Sequence, residues 1–390
     1  MMIRSIFLLI ILSLGIKSLK AASVEIIFYS EKVKVEYDNS ICIKYKMKPN
    51  DENIQEFYDL MEKKKFNILQ ENLVSIKNIL LLNDWLYYVL IKKTVNEIFK
   101  KESDNFRTVF CWYILNKSGY LATIISRTPY EISVNSNDKV FGTGIFFYEN
   151  KRYVNLTQIK NSSTSTKEIN LLKFFPNKTG KLFNFSISIP ILKNDSVISK
   201  KVEIVIKERK EVFEYKLSGN IIEMMKDYPQ LKAEEYFKIP PSSVLYNSLF
   251  VQLKEKFKDI DSTETVRYLL SFVRLSSLTI DDQKTFGYSK PMIVEEALFY
   301  EYGDCEDKSV LFYYLIKELV KIPIIVLRYP KHANVAVKLD KVYGKGLDYK
   351  GIKYSVCEPS EMGDVSNIGY STEFDHYKPK VIVEYNPMKQ

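Results

Sequence analysis

Histidine is almost missing from this chain of 390 residues: His332 and His376 are the only two. Cysteine is nearly as scarce. Cys42, Cys111, Cys305 and Cys357 lie far apart, with no C-x-x-C pair and no framework spacing, which excludes a disulfide-stapled scaffold. Glycine and proline number 13 each, too few for collagen-like or low-complexity disordered chains. After residue 16 no apolar run reaches the length needed to cross a bilayer. A solid basic block is also lacking, although the net charge is +9. The nearest candidate, KKVEIVIKERK at 200–210, alternates basic with apolar residues and reads as a strand with a solvated face. Nucleic acid is therefore not an expected partner; the net charge leaves room only for weak attraction to acidic surfaces.

What is present suits two or three domains, with 46% apolar residues to fill their cores. Arg4, the run SIFLLIILSLGI (5–16) and small residues near Ala21–Ser23 read as a secretory signal over 1–22. The expected location is secreted or periplasmic, with no membrane span once the signal is removed. Strand-like alternation over 23–47 gives way to a helical period over 51–102. A helix and several strands are expected over 106–157, and 182–216 alternates again as in a small antiparallel unit. KIPPSS (238–243) marks a boundary. The expected organisation is an α+β N-terminal region over 23–160, a β-rich connecting unit over 161–235 and a C-terminal domain over 236–390.

The two halves echo one another. At a constant spacing of 201 residues, 108–134 lies over 309–335, with Val109, Tyr113, Ile124, Arg127, Pro129 and Val134 meeting identical residues. The register continues over 148–157 and 349–358, matching Tyr148 to Tyr349 and Tyr153 to Tyr354. Both stretches read as helix, turn, strand, hairpin.

Cys305 sits in GDCEDKS (303–309), at the start of a helix whose first turn is acidic. A helix N-terminus lowers a thiol's pKa, whereas Glu306 and Asp307 oppose this unless they cap the helix. His332 stands where a loop becomes an alternating strand, and Glu358 ends the strand GIKYSVCEP (351–359). If those two strands form a hairpin centred near residue 345, His332 and Glu358 face each other within side-chain reach. A nucleophile, a base and an orienting acid are then available. Asp340, Asp348 and Asp364 are weaker substitutes for the acid.

YGDCEDKSVLFYYLI, RYPKHANVAV and KYSVCEP, in that order, resemble the transglutaminase-like superfamily of cysteine hydrolases, and DDQKTFGYSKPMIVEEALFYEYGDCED looks like its secreted bacterial members. The likeness covers roughly residues 240–385. It implies a papain-like α+β core with an antiparallel sheet packed on the nucleophile helix. It also implies Cys305 as nucleophile, His332 as general base and Glu358 as orienting acid, acting on a protein or peptide amide through a thioester, without a cofactor. Many members carry Asp at the third position, where this chain has Glu358-Pro359. Backbone N–H groups at the helix start, with Gln283 or Tyr288, would serve the oxyanion. At the spacing of 201, Asp104, Glu131 and Thr157 replace the three residues, which makes the first half a degenerate, silent copy.

Three other readings stand beside this one. Cys305 can be a structural thiol, or be paired with Cys357 in a disulfide; Cys42 and Cys111 read as buried small hydrophobes. A zinc site would draw on Cys305, His332, Cys357 and Glu358 or His376, but has no close-spaced ligand pair. A binding protein that keeps the fold without turnover is the functional rival.

Overall fold

The computed structural model describes residues 22–157, 169–206, 208–361, 367–369 and 376–389. The expected signal segment therefore lies outside the described residues, apart from Ala22. The chain is mixed α/β, 37% helix and 26% strand, with several antiparallel sheets. None of the described helices is long and apolar enough to cross a membrane.

The first half opens with a hairpin, β1 (Ala22–Phe28) and β2 (Glu31–Tyr37), whose alternating burial puts one face on the core. Three helices follow: α1 (Asp51–Glu62), α2 (Asn67–Ile79) and α3 (Asp84–Ile98). Asn50 and Asn83 cap α1 and α3 with side-chain oxygens. Next come α4 (Asp104–Lys117), capped by Ser103, and β3 (Ala122–Ile125), β4 (Glu131–Asn135), β5 (Ile145–Tyr148) and β6 (Lys151–Asn155). These strands form one antiparallel sheet in the order β3-β4-β6-β5.

Residues 182–196 form no strand. The antiparallel pair expected there is confined to a long hairpin, β7 (Val197–Ile206) and β8 (Arg209–Ser218). It packs on later helices, as β1 and β2 pack on α2 and α3. The helices are α5 (Gly219–Asp227), α6 (Ala233–Tyr236), α7 (Ser243–Leu245), a π turn running into α8 (Val251–Phe257), and α9 (Ser262–Ser276). Residues 277–304 then carry β9 (Leu278–Thr279), α10 (Asp282–Thr285), α11 (Val294–Phe299) and β10 (Tyr302–Gly303). Only residues 99–103 stand at the corresponding place in the first half. After α12 (Cys305–Leu315) come β11 (Ile324–Tyr329), β12 (His332–Val337), β13 (Leu347–Tyr349), β14 (Ile352–Cys357) and β15 (Lys380–Tyr385), ordered β13-β14-β12-β11-β15.

The two sheets thus share one order, β15 being extra. In both halves a buried helix precedes the sheet and packs against it: α4 on β3 and β4, α12 on β11 and β12. α3 packs on α4 as α9 packs on α12. One continuous buried apolar cluster runs through both halves, from Ile26 to Ile368. A smaller cluster, with Leu327, Tyr329 and Tyr354, lies on the other face of the second sheet.

Candidate active site

Asp304 makes the start of α12 a defined point. Its side chain accepts from the N–H groups of Glu306 (2.8 Å) and Asp307 (3.2 Å), and Asp307 accepts from Asp304 N–H at 3.0 Å. This reciprocal capping box satisfies donors that the first turn leaves open. The other oxygen of Asp307 accepts from Met292 N–H at 2.9 Å, so residues 277–304 are tied to the same cap. Cys305, the first residue of α12, is half-buried and unpaired, as are all four cysteines in the sense of disulfides. One turn on, buried Ser309 reaches the carbonyl of Ala333 at 3.4 Å. The Ala333 N–H faces the Cys305 sulfur. The thiol therefore lies against β12 beside the residue that follows His332.

His332 opens β12 opposite Tyr329, across a two-residue turn. Its Nε2 is 2.5 Å from Oε2 of Glu358. A carboxylate only accepts, so Nε2 carries the proton in this contact. The structure brings these two side chains together by a different route from a symmetric hairpin. The chain enters β14 through the turn after β13, and β12 pairs with β14 through Val335 and Cys357. Continuing that register sets Glu358 opposite Asn334, so His332 reaches it diagonally.

Glu358 is 1% exposed, and both its oxygens are occupied. Oε1 accepts from Ser360 Oγ at 2.6 Å and from Ser360 N–H at 3.1 Å. Oε2 accepts weakly from Asn334 Nδ2 at 3.5 Å as well as from His332. The main-chain carbonyl of Glu358 accepts from Arg274 Nε at 2.7 Å. Thr279 Oγ1 donates to the carbonyl of Ser360 at 2.7 Å. Farther along, Gly369 N–H donates to Val356 O at 2.7 Å. There its backbone crosses Gly344 so closely that a Cβ on Gly344 would lie 2.0 Å from Gly369 O. Both glycines have positive φ (68° and 80°).

The electrostatics oppose a preformed thiolate. Burial, then Asp304, Glu306 and Glu358, push the Cys305 thiol up, offset in part by the Ala333 N–H. This outweighs the lowering expected from the helix N-terminus. Burial and Asp304 raise Asp282 to about 7. Burial also raises Asp304, Glu306 and, well above the usual range, Asp307. Glu306 lies 3.3 Å from Arg328. Buried Lys308, brought down to about 8 by burial, donates to the carbonyls of Arg274 and Ser277 at 3.1 and 2.8 Å.

The remaining sequence candidates fall elsewhere. Asp340 and Asp348 are exposed, the latter opposite Lys353 in the β13–β14 hairpin; Asp364 lies outside the described residues. Gln283 is exposed and donates to Gly287 O at 2.8 Å, while Tyr288 packs near Phe286. His376 is exposed with its ring against Tyr377. Cys357 is buried, its thiol pushed up to about 12 by burial, and forms no bridge to Cys305. Cys42, expected to be buried, is exposed: it follows a short 3₁₀ turn in which Ile41 takes the interior position; Cys111 is buried. The residues of the suggested zinc site do not assemble. Among the described residues, the one group of His, Cys, Asp and Glu side chains close enough to share a metal ion is Asp282, Asp304 and Asp307. Most of these oxygens already hold main-chain N–H groups.

The first half has a matching but different constellation. Glu131 opens β4 as His332 opens β12, and Asn155 Nδ2 donates to Glu131 Oε2 at 2.6 Å. β4 pairs with β6 through Ser133 and Asn155. Asn155 therefore takes the diagonal place of Glu358, and Thr157, the match at constant spacing, takes that of Ser360. Thr157 N–H donates to Asn155 Oδ1 at 2.7 Å, as Ser360 N–H does to Glu358. A two-residue slip in strand register explains the correction, because it leaves each side chain on its original face. At the helix start Asp104 is largely exposed and pairs with Arg107.

Sequence reading overlooked Asn334, Ser360 and Arg274. A polar residue inside the apolar strand HANVAV, and an arginine on the apolar stripe Val266, Leu270, Val273 of α9, were the available signals. Comparison with known protein families, curated proteins and solved structures finds no match to this chain.

Proposed function

We propose that this protein is an exported, transglutaminase-like cysteine hydrolase or acyltransferase that acts on a peptide or other amide, with Cys305 as nucleophile, His332 as base and Glu358 as orienting acid. The observation that carries the reading is the His332–Glu358 contact beside the start of α12, where Cys305 stands. Because Nε2 is engaged with Glu358, Nδ1 is the nitrogen that takes the thiol proton. The raised thiol favours proton removal during attack over a resting thiolate. Sulfur then bonds the amide carbon, the C–N bond breaks, and the amine leaves with the proton from the imidazolium. Water, deprotonated by the same nitrogen, cleaves the thioester. Water is the most abundant acceptor around an exported protein, so hydrolysis is favoured over cross-linking. The main-chain N–H of Cys305, in the first turn of α12, suits the oxyanion. No step needs a cofactor.

The matching order of elements, the shared sheet order and the paired diagonal contacts support a duplication, with 22–157 as a silent relative of 197–357. In that copy an aspartate, a glutamate and an asparagine stand where catalysis needs thiol, imidazole and carboxylate. A second reading, a fold-retaining binding protein without turnover, draws on the carboxylates that hold the Cys305 thiol protonated.

The test is alkylation of Cys305 by iodoacetamide, followed by peptide mass, together with hydrolysis of unfolded protein substrates. His332→Ala is expected to slow alkylation at pH 7 by about tenfold or more and to abolish hydrolysis. An unchanged alkylation rate would remove the base from the mechanism. His332-dependent alkylation without any turnover would favour the binding reading.

A further inference from the structure

Contacts present in both halves are scaffold, whereas those confined to the half with the cysteine are candidates for function. The fourth residue of each site helix separates the two kinds. Lys308 of α12 donates to Arg274 O and Ser277 O at the end of α9. Arg107 of α4 likewise donates to main-chain carbonyls after α3, those of Phe99 and Glu102, at 3.4 and 2.8 Å. A cation that ties the site helix to the end of the preceding helix is thus common to both halves. It satisfies C-terminal carbonyls that a helix leaves open.

Arg274 differs. α3 and α9 both have 15 residues, and the thirteenth is exposed Asn96 in α3 but buried Arg274 in α9. Arg274 spends its Nε–H on the main-chain carbonyl of Glu358 at 2.7 Å. In the first half, the carbonyl of Asn155 is held instead by Thr143 Oγ1 at 2.6 Å, from the loop before β5. Only the second half anchors the acid to the helix that packs on the nucleophile helix. Arg274 thus links α9, which packs on α12, to Glu358 and through it to His332, whereas Lys308 contributes only the contact common to both halves.

We propose that Arg274 is a positioning residue that fixes Glu358 for its bond to His332. This deepens the catalytic reading above and rests on it. Glu358 follows the last residue of β14, so its backbone has no strand ladder to hold it. Ser360 clamps the Glu358 carboxylate at Oε1, and Arg274 holds the main chain that carries both residues, so without the guanidinium the Glu358–Ser360 unit can shift together away from the imidazole. A buried charge-assisted bond of this kind also resists solvent competition.

The test uses the full chain. With only two histidines, the Nε2–H proton of His332 is assignable by comparison with His376→Gln. In wild type it is expected as a downfield resonance protected from exchange. Arg274→Met is expected to lose that resonance and to slow Cys305 alkylation at pH 7 by about tenfold or more. Arg274→Lys restores both in part. Lys308→Met, which cuts only the shared scaffold contact, lowers the melting temperature but keeps the resonance. Should Arg274→Met not fold, Arg274→Gln takes its place. A retained resonance with an unchanged alkylation rate in the Met or Gln variant overturns the proposal. The resonance is also read in Cys305→Ser, so failure of the thiol chemistry and failure of the positioning role give different results.

Discussion

Glu358→Gln replaces one oxygen by an NH₂ group in a side chain whose every oxygen is accounted for. Oε1 accepts two bonds from Ser360, at 2.6 and 3.1 Å. The amide oxygen of glutamine must stay there, since an NH₂ group would face two donors. Its NH₂ then points at His332 Nε2, now only 2.5 Å away from Oε2. Two donors cannot share that contact, so the imidazole must give up its Nε2 proton and carry one on Nδ1. Nδ1 is the nitrogen that the proposed mechanism needs to accept from Cys305, and in this tautomer it cannot. Loss of the correct tautomer in a comparable triad costs about 10⁴ in turnover. Alkylation needs only the proton-removal share, about 10² or more, equal to ~3 kcal/mol in the barrier. The fold should change little, because removing a buried charge offsets the lost charge-assisted bonds. The assay is the iodoacetamide rate at Cys305 between pH 6 and 9, for wild type, Glu358→Gln and Glu358→Asp. A Gln variant within about threefold of wild type across that range would refute the tautomer reasoning.

Three other outcomes can be checked. Asp282, held near 7 by burial and Asp304, keeps its proton longer in the folded than in the unfolded chain, where the carboxyl titrates near ~3.9. Its contribution to stability is therefore full below about pH 4 and is lost as pH rises through 7. Asp282→Asn should raise the urea midpoint at pH 8 and change it little at pH 4; a pH-independent difference contradicts this. Asn155→Ala should lower stability by about 1–3 kcal/mol, because buried Glu131 loses a donor, while Cys305 alkylation stays unchanged. Slower alkylation would give the first half a part in the chemistry. Gly344→Ala places a methyl group into Gly369 O at positive φ. A loss of about 2–4 kcal/mol is expected in denaturant unfolding, and full stability would mean that the crossing is not held as described.

Periodicity made the helices of 51–102 legible; the strand that His332 opens, expected to alternate, is buried from Ala333 to Val337 and was legible as a short apolar run instead. The start of α12 was also legible, since Asp304 and Asp307 spell out a capping box. The internal echo was visible through residues such as Tyr113 and Tyr314, buried large side chains that the shared core must place. Long-range register was hidden. Nothing local reveals that β13 intervenes before β14, or that β4 and β6 pair two residues out of step with β12 and β14. Asn155 could not be told from Thr157 for that reason. Residues 182–196 alternate in sequence yet form no strand, because alternation states which side chains face inward but supplies no partner strand. Arg274 was hidden in another way: its partner is a main-chain carbonyl, which has no side-chain identity to read.

The carboxylates around Cys305 also bear on oxidation. Peroxide attacks the thiolate, and each sulfenic acid formed opens the way to irreversible sulfinic and sulfonic products. With burial, Asp304, Glu306 and Glu358 all disfavouring the anion, the resting sulfur is a poor target at neutral pH. Exposed Cys42 is the more accessible thiol, though burial of its sulfur and nearby Asp38 push it up as well. In the proposed reaction, the surroundings that oppose proton removal from the Cys305 thiol would also shield it from peroxide, so that both effects trace to the cap of α12.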